Sequence, residues 1–363
     1  MKGLITSKSQ IPEGMNWEDI SCELELSEEF IHQHSDLVDW CLISQCQKLS
    51  EGFIHQHSDL VDWYWISQCQ KLSERFIHQH SDLVDWGWIS QCQKLSEGFI
   101  HQHSDLVDWE WVSQYQKLSE EFIGQHDDLV NWVWISRYQK LSEEFISQHD
   151  DLVNWYWISQ YQKLSEGFIH QHADLVNWYW ISQYQKLSEE FIHQHADLVD
   201  WNLISKYQKL SEEFIKTNIS LVILSVIGLY QYLSKDFRNQ HNIVINDTWA
   251  YLDADYKKKQ IEECSLYECY DDYFIAYKGI RSDNYSKFNF QYQYFAGNTY
   301  YCHADHTNKE NSFGLSAWTK EKATEYCDEK IIKVKIHYKD IARLVHGGNK
   351  IRCTAFTVLE EIA

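Results

Sequence analysis

The stretch NWYWISQYQKLSEGFIHQHADLV, residues 154–176, recurs along the chain with a period of 23 residues, and that period decides the fold. Its leading tryptophan stands at Trp17, Trp40, Trp63, Trp86, Trp109, Trp132, Trp155, Trp178 and Trp201 without a slip of register. Within the stretch, Asn154 precedes Trp155, Ile158, Tyr161 and Leu164, a three-residue apolar step that suits one short helix with Asn or Asp as N-cap. Ser165 then precedes Glu166, Phe168, Ile169, His172 and Leu175, a second helix whose acidic first turn suits the helix dipole. Neither helix can bury its apolar stripe alone, so the units must stack. The expected architecture is mainly α: an α-solenoid of about ten 23-residue helix-pair repeats over residues 16–243, after an N-terminal arm at 1–15. Linker helices are expected over 244–270 and a small α+β domain over 271–363.

The end units depart from the pattern, as caps of a stack should. The first copy has Leu24 where the next has Gln47 and Glu23 where it has Cys46. The last opens on the apolar run from Ile219 to Leu229, which is shorter than the roughly 18 to 20 residues that cross a bilayer. Leu224, Ile227, Gln231, Leu233, Ser234, Phe237 and His241 keep the repeat register there. The run therefore reads as a tenth unit, buried against the following domain, and no membrane partner is expected.

Composition narrows the function classes. A net charge of −22 argues against a grip on phosphate backbones, so nucleic acid is not an expected partner. A hydrophobic share of 44% excludes a disordered chain. The start, MKGLITSKSQIPEG, lacks the apolar core of a signal peptide. Cys46, Cys69 and Cys92 share a column with Tyr115, Tyr138, Tyr161, Tyr184 and Tyr207, which reads as a packing position with reduced thiols in an intracellular protein.

Against an almost constant frame, the variable positions are the informative ones. The residue after the frame tryptophan is Cys41, Tyr64, Gly87, Glu110, Val133, Tyr156, Tyr179 and Asn202 in turn. One helical turn later stand Gln45, Gln68, Gln91, Gln114, Arg137, Gln160, Gln183 and Lys206. Together they form a candidate partner-binding strip, represented by Tyr64, Gln68, Glu110, Gln114, Tyr156, Gln160, Tyr179 and Gln183, with the tyrosines as anchors. A second tryptophan column, Trp65, Trp88, Trp111, Trp134, Trp157 and Trp180, lies about 200° round the helix from the first and is expected to pack between units.

The repeated HQH, as at His32 and His34 or His170 and His172, suggests metal chemistry at first sight. Residues two apart on a helix point to different sides, however, and the first histidine gives way to Gly124 and Ser147. No metal and no other cofactor are expected. The second histidine reads as partly buried near a helix C-terminus, where its charged form is favoured.

Beyond residue 243 the period fails. Strand-like runs follow at 274–279, 292–295, 299–302, 331–336 and 353–359, with a turn at Gly297-Asn298 and a helix over Lys320 to Cys327. AYKG (276–279), FQY (290–292), GNTY (297–300), SFGLSA (312–317), KVKI (333–336) and KIRCTAFTVL (350–359) resemble, in order, a domain of unknown function found in phage, bacterial and giant-virus proteins. The likeness covers most of residues 273 to 361. GLSAW (314–318) stands where that domain has G-F-H-A-C, so its histidine and cysteine are missing. The 23-residue unit likewise resembles tandem repeats of uncharacterised proteins from giant viruses of amoebae, which implies a viral protein in the host cytoplasm. Neither resemblance carries an activity.

The strand order is also similar in outline to ADP-ribosyltransferase folds. That likeness implies Lys278 beside the first glycine and Ser316 as the middle-strand serine, but Lys350 and Arg352 stand where the glutamate belongs. Cys302, His303, Asp305 and His306 add a dense group of polar side chains whose spacing reads as loop surface. The catalytic candidates are Lys278, Ser316, His303 and Cys302, and no phosphate loop, Cys-x-x-Cys pair or G-x-S-x-G elbow accompanies them. The expected function is a non-enzymatic scaffold for a host or viral protein partner, with a small-molecule ligand disfavoured. The rivals are an ADP-ribosyltransferase-like effector targeted by the repeats and a structural spacer.

Overall fold

The computed structural model describes residues 4–243, 249, 252–287 and 289–362. Among them the repeat is a pair of short helices, as the sequence pattern implies. In the unit quoted above these are Trp155–Tyr161 and Glu166–Gln171. The Asn154 side chain accepts from the Trp157 amide at 3.2 Å, and Ser165 Oγ accepts from the Phe168 amide at 3.2 Å, so both expected caps form. Ten such pairs run from Trp17 to Gln240 among the described residues. The chain divides into two compact units, Met1–Leu141 and Ser142–Ala363.

In the first unit, Ile43, Ile54, Ile66, Ile77, Ile89, Ile100 and Val112 are fully buried, so one β-branched residue from each of these helices builds the core. At roughly 25 cal/mol per Å² of apolar surface, this repeated burial is what stabilises helices too short to stand alone. The N-terminal arm joins that core through Ile5, which pairs with Leu26.

Hydrogen bonds fix the step from one unit to the next. Gln47 Nε2 donates to the carbonyls of Ser21 (2.8 Å) and Leu24 (2.7 Å), and its Oε1 accepts from the Leu26 amide at 3.0 Å. Gln70, Gln93, Gln116 and Gln139 repeat this within the first unit, and Gln185, Gln208 and Gln231 within the second. A buried serine adds a second tie: Ser44 Oγ donates to the Trp40 carbonyl and accepts from the Asp62 amide of the following unit. These bonds explain the degenerate first copy. Its Leu24 has no preceding unit to reach, and what it supplies is the carbonyl that Gln47 takes.

Three expectations are corrected. Leu175, placed on the apolar stripe, is 45% exposed, and its counterparts Leu37, Leu60, Leu83, Leu106, Leu129, Leu152 and Leu198 are 40 to 47% exposed, because this position falls on the turn after the second helix. The tenth unit is not buried throughout: Ile219, Leu221 and Ile223 are exposed, and Ile223 gives its helix no side-chain cap. Cys46 is disulfide-bonded to Cys22, while Cys69 and Cys92 in the same column are free and exposed rather than packed.

Within the second unit the repeats are followed by a helix at Ala254–Cys264 and an antiparallel sheet. The rest of the expected linker, 244–248 and 250–251, lies outside the described residues. The strands are β1 (Glu268–Cys269), β2 (Tyr273–Ile280), β3 (Tyr285–Ser286), β4 (Asn289–Gln293), β5 (Thr299–Tyr301), β6 (Leu315–Trp318), β7 (Lys330–His337), β8 (Ile341–Val345), β9 (Lys350–Cys353) and β10 (Ala355–Ile362). The main sheet has the order β5-β10-β7-β2-β6-β9-β8, with β1 also on β2 and a separate β3–β4 hairpin. The 353–359 run divides at Thr354, whose amide turns to the Asp340 carbonyl, so β9 and β10 are distinct strands. Phe274, Ala276, Val334, Ile336, Ile351 and Phe356 form the core. Gly279 lets the helix Lys320–Tyr326 come down on β2, where a Cβ would collide with the carbonyl oxygens of Ala323 and Cys327. No helix among the described residues is long and apolar enough to cross a membrane.

Candidate functional site

Within each compact unit the first helices of consecutive repeats pack side by side, and their outer faces carry the variable strip. In the first compact unit Tyr64 is 45% exposed, its ring edge-on to Trp65 (5.1 Å) and to Trp88 of the next repeat (5.6 Å). Glu110 is exposed, and its Oε1 accepts from Trp134 Nε1 at 3.3 Å. In the second unit Tyr156 stands edge-on to Trp157 (4.8 Å) and Trp180 (5.4 Å), and Tyr179 to Trp180 (4.7 Å). The variable residue thus leans on its own repeat's second tryptophan or on that of the next repeat. Gln68, Gln114, Gln160 and Gln183 are half-buried beside these rings. In the first unit the strip carries the exposed edge of Tyr64 and the Glu110 carboxylate, and in the second the exposed edges of Tyr156 and Tyr179, above half-buried amides.

In the second unit Tyr156 and Tyr179 stay exposed, but the tyrosine column beside the strip is covered. Tyr161, Tyr184 and Tyr207 are half-buried and Tyr230 is buried, against 51% exposure for Tyr115 of the first unit. The cover is the sheet domain. Phe313 packs on Tyr207 (4.7 Å) and Tyr230 (6.0 Å), Lys309 Nζ donates to the Tyr230 hydroxyl at 3.3 Å, and Gln291 Nε2 donates to the Tyr184 carbonyl. Burial raises the Tyr184 and Tyr207 phenols above their ordinary range.

The loop that carries Lys309 and Phe313 is held by Arg352, which has no exposed surface, whereas Gln291 reaches Tyr184 from β4. Its Nη1 donates to the carbonyls of Asp305 (2.9 Å) and Thr307 (3.1 Å), and its Nη2 to those of Lys309 and Glu310. Burial acts to raise the Asp305 carboxyl, but hydrogen bonds from Ser312 and Thr307, with the Arg352 charge, more than offset this and hold it low. The Cys302 to His306 group is therefore not polar surface: Asp305 and His306 are buried because the loop closes over Arg352. Nothing in the sequence pattern marked Arg352 for this role.

The catalytic candidates do not face one open cavity. Lys278 is buried on β2, its Nζ donating to the Ser316 carbonyl rather than the hydroxyl, at 3.1 Å, and burial brings it down to about 8. Cys302 Sγ accepts from the Leu315 amide, and burial pushes the thiol up to about 12. His303 lies against Phe313, and burial holds it down at about 4, only partly offset by a hydrogen bond with the Lys206 backbone.

The HQH columns meet in a way the sequence did not suggest. His32 Nδ1 lies 3.1 Å from His57 Nε2, and His55 pairs with His80, His78 with His103 and His101 with His126 in the same manner. His170 and His195 do so in the second unit. The expectation of a favoured charged form is overturned at His57, His80, His103 and His195. Burial lowers each, and the facing His32, His55, His78 or His170 lowers it further, with Asp82 opposing at His80. A pair in hydrogen-bond contact needs one donor and one acceptor nitrogen, so it tolerates one proton fewer than two free rings would.

With native values depressed below the ordinary 6.5, the unfolded chain binds protons more readily. Stability is then fully present above about pH 6.5 and is lost as pH falls from there toward the native values. The Tm should drop by several degrees between pH 7.5 and 5.5, and the combined His57→Gln, His80→Gln and His103→Gln variant should flatten that slope. An equally steep slope in the variant would refute this account.

The chain matches no protein family, no curated protein and no solved structure.

Proposed function

We propose that the repeats are a protein-interaction scaffold whose receptor surface is the outer face of the first helices. The observation that carries this reading is that the same face already seats a folded domain, the chain's own sheet, on Tyr184, Tyr207 and Tyr230. Exposed aromatic edges give large contact area at small entropic cost, which makes them effective anchors. The partner is a host or viral protein, in keeping with the resemblance of the repeat and of the sheet domain to giant-virus proteins, and the charge of −22 disfavours nucleic acid.

The test uses the full chain and its Tyr64→Ala, Tyr156→Ala, Tyr179→Ala triple variant in quantitative capture from host-cell lysate. These rings are 43 to 49% exposed, so the variant should unfold within a few degrees of the parent. Specific polypeptides held by the parent should be depleted at least about fivefold on the variant. Undiminished capture would remove the strip from consideration, and a chain that enriches nothing would favour a spacer.

A further inference from the structure

Two repeats carry a cation of their own on the strip. In the sixth, the Arg137 guanidinium lies over Tyr138 (5.0 Å) and Trp134 (6.0 Å). In the ninth, the Lys206 ammonium lies over Tyr207 (4.5 Å) and reaches Tyr230 of the next repeat (5.3 Å). The pair of rings that receives Arg137 has centroids 5.7 Å apart at 40°. The fifth repeat builds the same pair: Trp111 and Tyr115 stand 5.7 Å apart at 42°. At the position of Arg137, however, it has the neutral Gln114. The Glu110 carboxylate stands on the same helix, exposed, with Oε1 on Trp134 Nε1. Tyr115 is half exposed, whereas the corresponding Tyr184 is covered by the sheet domain through Gln291.

We infer that the fifth repeat takes an arginine side chain of the protein partner, laid against Trp111 and Tyr115 with its fork toward Glu110. The chemistry is complementary on each count. Aromatic faces attract cations, and tryptophan does so best. A guanidinium can stack on a ring and hydrogen-bond a carboxylate together, which an ammonium does less well. A chain at −22 draws basic segments to its surface. The sheet domain supplies a precedent, since its cationic Lys309 reaches the tyrosine column beside Phe313 and donates to the Tyr230 hydroxyl. The assignment rests on the strip being a receptor surface and narrows it to one ligand chemistry.

The test measures fluorescence anisotropy of a labelled Gly-Ser peptide carrying two arginines, with lysine and citrulline versions, against the full chain at 150 mM salt, an ionic strength that screens diffuse attraction beyond about 8 Å. Tyr115→Ala and Glu110→Gln should each weaken the arginine peptide about three- to fivefold and together about tenfold or more. Asp105→Asn, which removes an exposed charge elsewhere, should leave binding unchanged. The lysine peptide should bind more weakly and the citrulline peptide should lose binding. Cysteine occupies the Tyr115 column at Cys69 and Cys92, so the frame accepts a smaller residue there, and an unchanged circular dichroism melt verifies it. Equal losses for Asp105→Asn and Glu110→Gln, or no loss for Tyr115→Ala, would overturn the assignment. The residues altered here are separate from Tyr64, Tyr156 and Tyr179, so a partner captured through those three while the peptide fails would sink this inference and leave the scaffold reading standing.

Discussion

Replacing Gln116 with leucine should cost about 3 kcal/mol or more, although the substitution keeps the side chain's bulk in a buried, helix-flanking position. Gln116 is 6% exposed and ties two repeats together with its whole amide. Its Nε2 donates to the carbonyls of Ser90 (2.7 Å) and Gln93 (2.8 Å), and its Oε1 accepts from the Leu95 amide at 3.0 Å. Leucine would fill the space but leave three main-chain groups of the preceding repeat shielded from water without partners, at about 1 to 3 kcal/mol each before relaxation. In a stack whose stability is a sum of neighbour terms, that loss falls on one interface, so unfolding should become less cooperative as well as easier. Denaturant melts should show the midpoint shift, and hydrogen exchange of the Leu95 amide should accelerate first. Gln114→Leu, two residues away on the half-buried outer face, is the internal control and should change stability by less than about 0.5 kcal/mol. A Gln116 variant as stable as the Gln114 variant would mean that side-chain packing alone sets the step between repeats.

The contrast between these two glutamines marks what could be read from the chain. The period, both helices and both caps follow from the spacing of Trp155, Ile158 and Phe168 and from Asn154 and Ser165, because local capping and apolar periodicity are properties of a few neighbouring residues. The Gln116 column was readable in principle: within the chain it does not vary from Gln47 to Gln231, whereas the Gln114 column admits Arg137 and Lys206. Glutamine has no local propensity that signals a bond 23 or 26 residues away, and the tie becomes visible only once the units are stacked. The histidine pairs escaped for the same reason, since each joins residues 25 apart, one repeat plus two. Leu175 misled because its apolar character fits the helical stripe while the chain has already turned. In the sheet domain, β9 hid behind Lys350 and Arg352, which alternate with Ile351 and Cys353 as a solvent-facing set would and yet lie buried. The strip itself was legible as variable positions against a fixed frame. That the neighbouring column of Tyr184, Tyr207 and Tyr230 is occupied by the chain's own sheet domain was not, because docking depends on a loop whose shape is set by Arg352.

That dependence makes Arg352→Met the most disruptive single change expected in the sheet domain. The two terminal nitrogens of the guanidinium donate to four carbonyls of the 305–310 loop, and the group lies 3.9 Å from the Asp305 carboxylate, both side chains fully buried. Methionine matches the stem of the side chain but supplies no donor, so the carbonyls and the Asp305 charge would be left unpaired in the interior. Breaking a buried pair from one side costs about 3 to 5 kcal/mol. The loop can avoid that cost only by opening to water, and opening withdraws Phe313 from Tyr207 and Tyr230 and Lys309 from the Tyr230 hydroxyl. Two readouts should therefore move together. Limited proteolysis should cut within residues 303–313 at a protease dose that leaves the parent intact, and the Tyr207 and Tyr230 phenols should become accessible to nitration. Arg352→Lys keeps the charge but cannot fork to four carbonyls, so it should restore little of the protection. If the loop opened in Arg352→Met while Tyr207 and Tyr230 stayed protected, the sheet domain would be seated by contacts other than this loop, and the seat on the repeats would owe more to Gln291 and the Tyr184 carbonyl than to Arg352.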